Sequence, residues 1–326
     1  MCCSTLVGPV QLKRLRPCYL GTSPSVSCKR ADSLALTFII GQGSGLLGCK
    51  VECKIQAGVV DGGLSMGAKM KNAPVFYTLA QVKFNPIAQM EDYVPHLQEH
   101  LRRGGYPDYR KEVVQVGLKI RQLDKEEPEV KGQQHIQWSF TNAQRNEGYL
   151  LSADSLVFHS TVYETFDVFS NRLLERLSLV HEAVELAYIE HIGLRYLDAV
   201  IPKGDDVIDA YLNPSLLGLS LSIEGELKHS FSETLSQIKG GMLVARSVIT
   251  SGGLALPPDL FPLKLEIQPQ FSEIPGPSAV LDTDYFVKKR FDFDLEMVKV
   301  QLLSSHDIID RAFHLSVTDY ARHVWG

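Results

Sequence analysis

The sequence predicts an α+β fold, a largely antiparallel sheet carrying two long amphipathic helices, and three observations predict it. Runs of alternating apolar residues outnumber helical runs, and several are separated only by short turns, which argues against βαβ units. Tyr188 to Ile201 is apolar at nearly every other position and rich in aromatic and β-branched residues, so it reads as a central strand covered on both faces. All six cysteines (Cys2, Cys3, Cys18, Cys28, Cys49, Cys53) lie in the first 53 of 326 residues, which separates a leader from a thiol-free body. Charge divides at the same place. Residues 1–65 hold seven Lys/Arg against three Asp/Glu, leaving the remainder 26 against 35, a formal −9.

In the leader, Gly43-Ser44-Gly45-Leu46-Leu47-Gly48 matches the bare dinucleotide pattern but lacks the helix and distant acid that the site requires. Cys49 and Cys53 have no second ligand pair for zinc. Residues 1–65 are expected to be a disordered extension or translated upstream DNA, with Met66 or Met70 as the natural start. A secreted disulfide framework would staple the body rather than spare it. No run of about 18 apolar residues suggests a transmembrane helix, and the expected compartment is the cytoplasm.

From Met70 the elements follow in order. Ala73 to Phe84 is a strand ended by Asn85-Pro86. A first helix spans about Met90 to Arg103, with Val94, Leu97 and Leu101 on one face and Gly104-Gly105 as its stop. Lys111–Ile120, His135–Asn142, Tyr149–Leu151 and Leu156–Tyr163 are strands, with Asp124 to Gly132 a solvated loop. Phe166 to Ala183 is a second amphipathic helix. The central strand follows, then a short helix after Gly204 carrying Val207 and Leu212. Strand candidates come next at Leu219–Leu235, Met242–Thr250, Leu263–Phe271 and Ser278–Val287. A closing helix runs from Asp294 to about Val324.

Phe166-Asp167 and Phe291-Asp292 each precede a helical run, and from those pairs an offset of 125 aligns Leu173 with Val298 and His181 with His306. This suggests two related halves, about 70–201 and 202–326. The alternative is the ordinary likeness of amphipathic helices.

Three features carry a family resemblance: Lys69–Tyr77 leading to Phe84-Asn85-Pro86, the segment Ile192–Tyr196, and the closing helix around His306 to Phe313. On these, residues 70–325 resemble a sporadically distributed family of uncharacterised bacterial proteins. The resemblance implies no activity and no catalytic residue. Its patchy distribution implies an accessory or conflict-related role with a protein partner encoded nearby.

Candidate chemistry centres on Arg195, a guanidinium in a strand expected to be buried, which must therefore be paired. His191 shares its parity and face. His229, Arg246, Asp282 and Asp284 sit in neighbouring strand candidates. Two readings stand side by side. The arginines and histidines could line a pocket for a small phosphate or carboxylate, as in an enzyme or sensor. Alternatively, Arg195 and Arg246 pair with Asp282, Asp284 or Glu226 and fix strand register.

Glu224-Gly225-Glu226-Leu227-Lys228 has the alternating acid–acid–base pattern of triphosphate tunnel enzymes but lies late in the chain. His96 and His100 have helical metal-pair spacing without a further acid ligand. No metal or cofactor is expected, and the acidic body argues against non-specific nucleic-acid binding. The function expected is a non-enzymatic interaction protein, an accessory component of a mobile defence or toxin-type module.

Overall fold

A computed structural model of the chain describes residues 72–326 apart from 121–128, 222, 261–263, 273 and 275. The expectation for residues 1–65 falls outside these.

The chain enters through β1 (Val75–Phe84) and α1 (Met90–Arg103). A meander follows: β2 (Asp108–Ile120), β3 (Glu129–Thr141), β4 (Glu147–Ser152) and β5 (Ser155–Ser160). Next come α2 (Phe166–Val184), β6 (Tyr188–Val200) and a single turn, α3 (Pro214–Leu217). The hairpin β7 (His229–Ile238) and β8 (Gly241–Thr250) leads through residues 251–277 to β9 (Ser278–Asp292). Two helices close the chain, α4 (Leu295–Ser316) and α5 (Asp319–Trp325).

Among the described residues the strands form one nine-stranded sheet in the order β2-β3-β4-β5-β1-β6-β9-β8-β7. Every neighbouring pair is antiparallel, so the fold class is the α+β arrangement that short connections between strands require. In each half of the sheet the first strand (β1, β6) pairs with the last strand of a following meander (β5, β9), and a long helix comes next. By this order β6 stands to its group as β1 stands to its own, which places the change of group before Tyr188 rather than after Ile201. Phe166-Asp167 opens α2, whereas Phe291-Asp292 ends β9. The caps Thr165 and Asp294 are therefore one helical turn out of step with the 125-residue offset.

Alternation along β6 divides its side chains between two cores. Ile192, Leu194 and Tyr196 join the cluster that α1, α2 and α4 cover with Leu97, Leu173, Leu177, Val298 and Leu302. Leu197 and Ala199 face the other way, with Phe76, Tyr77, Val280, Leu265 and Phe271. Leu265 and Phe271 belong to the connection between β8 and β9, whose described residues lie across this second face as a strap.

The strap corrects one expectation: of the strand candidate Leu263–Phe271, the described residues 264–271 form no strand. Leu265 and Ile267 alternate as a strand would, but Pro257, Pro258, Pro269 and Pro277 frame the segment and remove ladder donors. It folds instead into short 3-10 turns at Pro258–Leu260 and Pro269–Phe271. Similarly, Leu219–Leu235 is a 3-10 turn followed by irregular backbone, with the strand beginning at His229. The expected short helix after Gly204 is a 3-10 turn at Ile208–Ala210. Glu129 to Gly132, read as loop, belongs to β3.

The closing helix is two helices. Val317 is extended and bridges Leu212, and the Thr318 hydroxyl accepts the Ala321 N–H to start α5. Among the described residues no helix is long and apolar enough to cross a membrane.

Candidate functional site

The two-residue turn Lys239-Gly240, both residues at positive φ (47° and 82°), sets the β7–β8 register. Such a turn matches strand twist, and glycine accepts its second position without cost. That register puts Glu233 opposite Arg246, the β8–β9 register puts Arg246 opposite Asp282, and the β6–β9 register puts Arg195 opposite Asp284. Side chains directly opposed in antiparallel strands share a face. Glu233, Arg246, Asp282, Asp284 and Arg195 therefore converge on the face that the strap covers.

Arg195 is buried (6 % exposed) and Asp282 is completely so. The guanidinium donates Nε to Asp282 Oδ1 (2.6 Å) and Nη2 to Asp282 Oδ2 (2.8 Å), a bidentate fork. Its outer side donates Nη1 and Nη2 to Asp259 of the strap. Arg246 donates Nη1 to Asp282 (3.1 Å) and Nε to Glu233 (2.6 Å). Burial works against the charge on Arg195, but its bonds to Asp282 and Asp259 outweigh this and raise its pKa above the ordinary guanidinium value. Burial raises Asp259 as well, and Arg195 more than reverses that, leaving its carboxyl below the usual range. Asp284 is different: burial lifts its pKa to about 6, against the opposing pull of Arg195.

The positive charge is already more than balanced. Two guanidiniums meet Asp282, Asp259 and Glu233 before Asp284 is counted, so an incoming phosphate would have to displace a carboxylate. The structure thus gives the arginines the register-fixing geometry, with Asp282 as the shared partner. Glu226 takes no part, since it pairs with the exposed Lys228.

Neither histidine reaches this cluster. His191 lies on the same face but four residues from Arg195, roughly 13 Å along the strand at ~3.3 Å per residue. It packs on Phe286 between Lys83 and Lys288. Burial, then those two lysines, lowers its pKa to about 4. His229 is exposed at the start of β7, opposite Thr250. The expected pocket of arginines with histidines is corrected accordingly: strand parity gave a shared face, not a shared neighbourhood.

The acid–acid–base motif Glu224–Lys228 lies in irregular backbone before β7, so its carboxylates do not share a strand face. His96 and His100 meet edge to face, with ring centroids 4.6 Å apart. Among the described residues no group of three or more His, Cys, Asp or Glu side chains is placed to hold a metal ion.

A second polar group, which the sequence reading missed, lies under α4 on the helix-covered face. Asp198 is buried, and burial raises its pKa to about 7. Tyr196 donates to Tyr163 (3.2 Å) and contacts His306 Nδ1 at 3.3 Å, while His306 stacks on Phe166. The available signal was parity: Asp198 occupies a position between Tyr196 and Val200 that alternation assigns to the core. On the strap side, Tyr77 bonds buried His159 (2.9 Å), whose pKa burial lowers to about 3.

No protein-family model, no curated protein and no solved structure matches this chain. The strap-covered cluster and the Asp198 group therefore stand on their geometry alone.

Proposed function

We propose that this chain is a non-enzymatic interaction protein of the bacterial cytoplasm, an accessory or antagonist component of a mobile defence or toxin-type module. The observation that carries the reading is on α4. Met297, Val300 and Leu303 are 51 %, 61 % and 48 % exposed. Their spacing of three puts them on one stripe of the helix, and contiguous exposed apolar side chains mark interaction surfaces. Beside the stripe an open cleft of about 640 Å³ between α1, α2 and α4 presents His100, Glu175, Glu182, Glu296 and Lys299 as a polar rim.

A partner with an apolar ridge and mixed charges fits this surface, and the family resemblance favours a product of an adjacent gene. The rival reading, an enzyme or sensor binding a small anion through Arg195 and Arg246, is disfavoured by the carboxylates that already occupy both guanidiniums. Co-expression with the neighbouring gene products tests the proposal. A complex that co-elutes in size exclusion and is weakened at least tenfold by Val300→Glu is the expected result, since burying an unpaired charge at a central, desolvated contact costs on the order of 2 kcal/mol or more. No complex with any neighbour, or one indifferent to Val300→Glu, overturns it.

A further inference from the structure

Towards the Tyr188 end of β6, strand register places three basic side chains in one row across the centre of the sheet. Lys83 of β1 stands opposite His191, and His191 stands opposite Lys288 of β9. Side chains opposed in this way share a face, here the face that carries the strap. Lys83 and His191 are half-buried, and Lys288 is exposed.

Phe286 is the floor of the row. His191 stacks on its ring, with centroids 5.6 Å apart, and Lys288 Nζ lies 5.3 Å from the ring centroid. A Cβ at Gly193 would stand 3.2 Å from His191 Nε2 and 3.6 Å from Phe286 Cβ. Glycine at that position leaves room for the imidazole to lie across it onto Phe286.

The positive charge of this row is not balanced from within. Among the described residues Lys288 has no ion pair, and Lys83 meets Asp154 only at 3.9 Å. Asp154 already accepts from Ser152 Oγ, and Glu190, the acid beside His191, is held by Arg290. Elsewhere in the sheet, Arg195 and Arg246 each face a carboxylate. Here cation, imidazole and cation stand side by side, an arrangement that opposes folding unless a negative charge completes it.

The spacing selects the anion. Adjacent strands lie ~4.8 Å apart, so Lys83 and Lys288 start roughly 10 Å from each other on either side of His191. Both are long enough for their ammoniums to converge above the ring. Two full positive charges and three donors match a phosphate monoester, which carries about −1.5 to −2 at neutral pH and three acceptor oxygens. A carboxylate or a phosphodiester brings a single charge.

We infer that Lys83, His191 and Lys288 form a binding site for a phosphate monoester on the strap-side face of β1, β6 and β9, with Phe286 beneath it. α4 covers the opposite face, so this site stands whether or not the α4 stripe binds a partner.

Titration of the full chain with methyl phosphate at neutral pH, followed through the His191 resonances by NMR, tests it. Saturable binding is expected, with dimethyl phosphate about tenfold weaker because it lacks one charge. Bound phosphate should also raise the His191 pKa from about 4, since the anion offsets Lys83 and Lys288 while Glu190 stays beside the ring. Lys288→Gln, at an exposed position, is expected to keep the circular dichroism spectrum and weaken binding about tenfold, the loss of one charge-assisted hydrogen bond. Lys299→Gln takes the same charge from α4 on the other face and should bind as the wild type does. No saturable shift at His191 up to tens of millimolar, equal binding of the two esters, or a loss in Lys288→Gln no larger than in Lys299→Gln overturns the inference.

Discussion

Arg195 is held between a fully buried carboxylate and one on the strap, so its removal is asymmetric in cost. Arg195→Met would leave Asp282 buried with Arg246 as its remaining charged partner, and breaking one half of a buried pair costs about 3–5 kcal/mol. Urea denaturation should show that loss. Arg195→Met combined with Asp282→Leu should recover most of it, because replacing both buried ions with apolar groups removes the uncompensated charge. A double variant less stable than the single one would show that the pair does more than neutralise itself. The pairing was legible in the sequence, because a guanidinium at a buried strand position must find an acid, and Asp282 stands at a buried position of its own strand. Asp259 was not legible: it comes from the strap, 64 residues away in a segment whose alternation imitated a strand. Asp198 was legible in principle by the same parity argument, but a lone acid among apolar neighbours carries no local pattern that names its partners, which come from Tyr163 and α4.

At the scale of elements, the first two helices and most strands followed from periodicity and their stops, because local pattern and tertiary burial agree there. α1, for example, buries Met90, Val94, Leu97 and Leu101 and ends at Gly104 as read. The closing helix shows why agreement fails. Apolar positions at Ile309, Phe313 and Val317 continue the helical period, so nothing in the pattern announces a break. The break is made by a backbone bridge from Val317 to Leu212 and by Thr318, whose hydroxyl caps α5 and also donates to the Ala210 carbonyl. Neither contact is local enough to be seen in sequence. Thr318→Ala should remove both the cap and that bond at a cost of about 1–3 kcal/mol. Trp325 is buried at the end of α5, and its carbonyl accepts from the Asn72 N–H. Its fluorescence should therefore shift to the red before global unfolding in the variant, and an unshifted spectrum with wild-type stability would mean that the bridge alone sets the break.

Across the whole molecule, the buried titratable groups pull stability in opposite directions with pH. Asp198 and Asp284, raised by burial to about 7 and about 6, stay protonated in the fold at pH values where the unfolded chain has released those protons. Their contribution therefore falls as pH rises from about 4 through those values. His159 and His191, lowered by burial to about 3 and about 4, stay neutral where the unfolded chain takes up protons. Their contribution is lost as pH falls from about 6.5 towards those values. Between roughly pH 5 and 6.5 the two pairs nearly cancel, so the wild-type profile should be shallow there despite four displaced groups. Removing one member unmasks the others. For Asp198 the penalty at neutral pH and above is of order 4 kcal/mol, and a buried amide in its place forfeits part of the relief. Asp198→Asn should therefore be more stable than wild type by about 1–3 kcal/mol at pH 8. Its stability should also rise between pH 5 and 6.5, by up to about 1.4 kcal/mol per pH unit for the one proton no longer balanced. Chemical denaturation across that range reads both outcomes. A variant that loses stability at pH 8 would mean that the Asp198 carboxylate is held ionised by Tyr163 and Tyr196, making the group under α4 a charged centre rather than a buried acid.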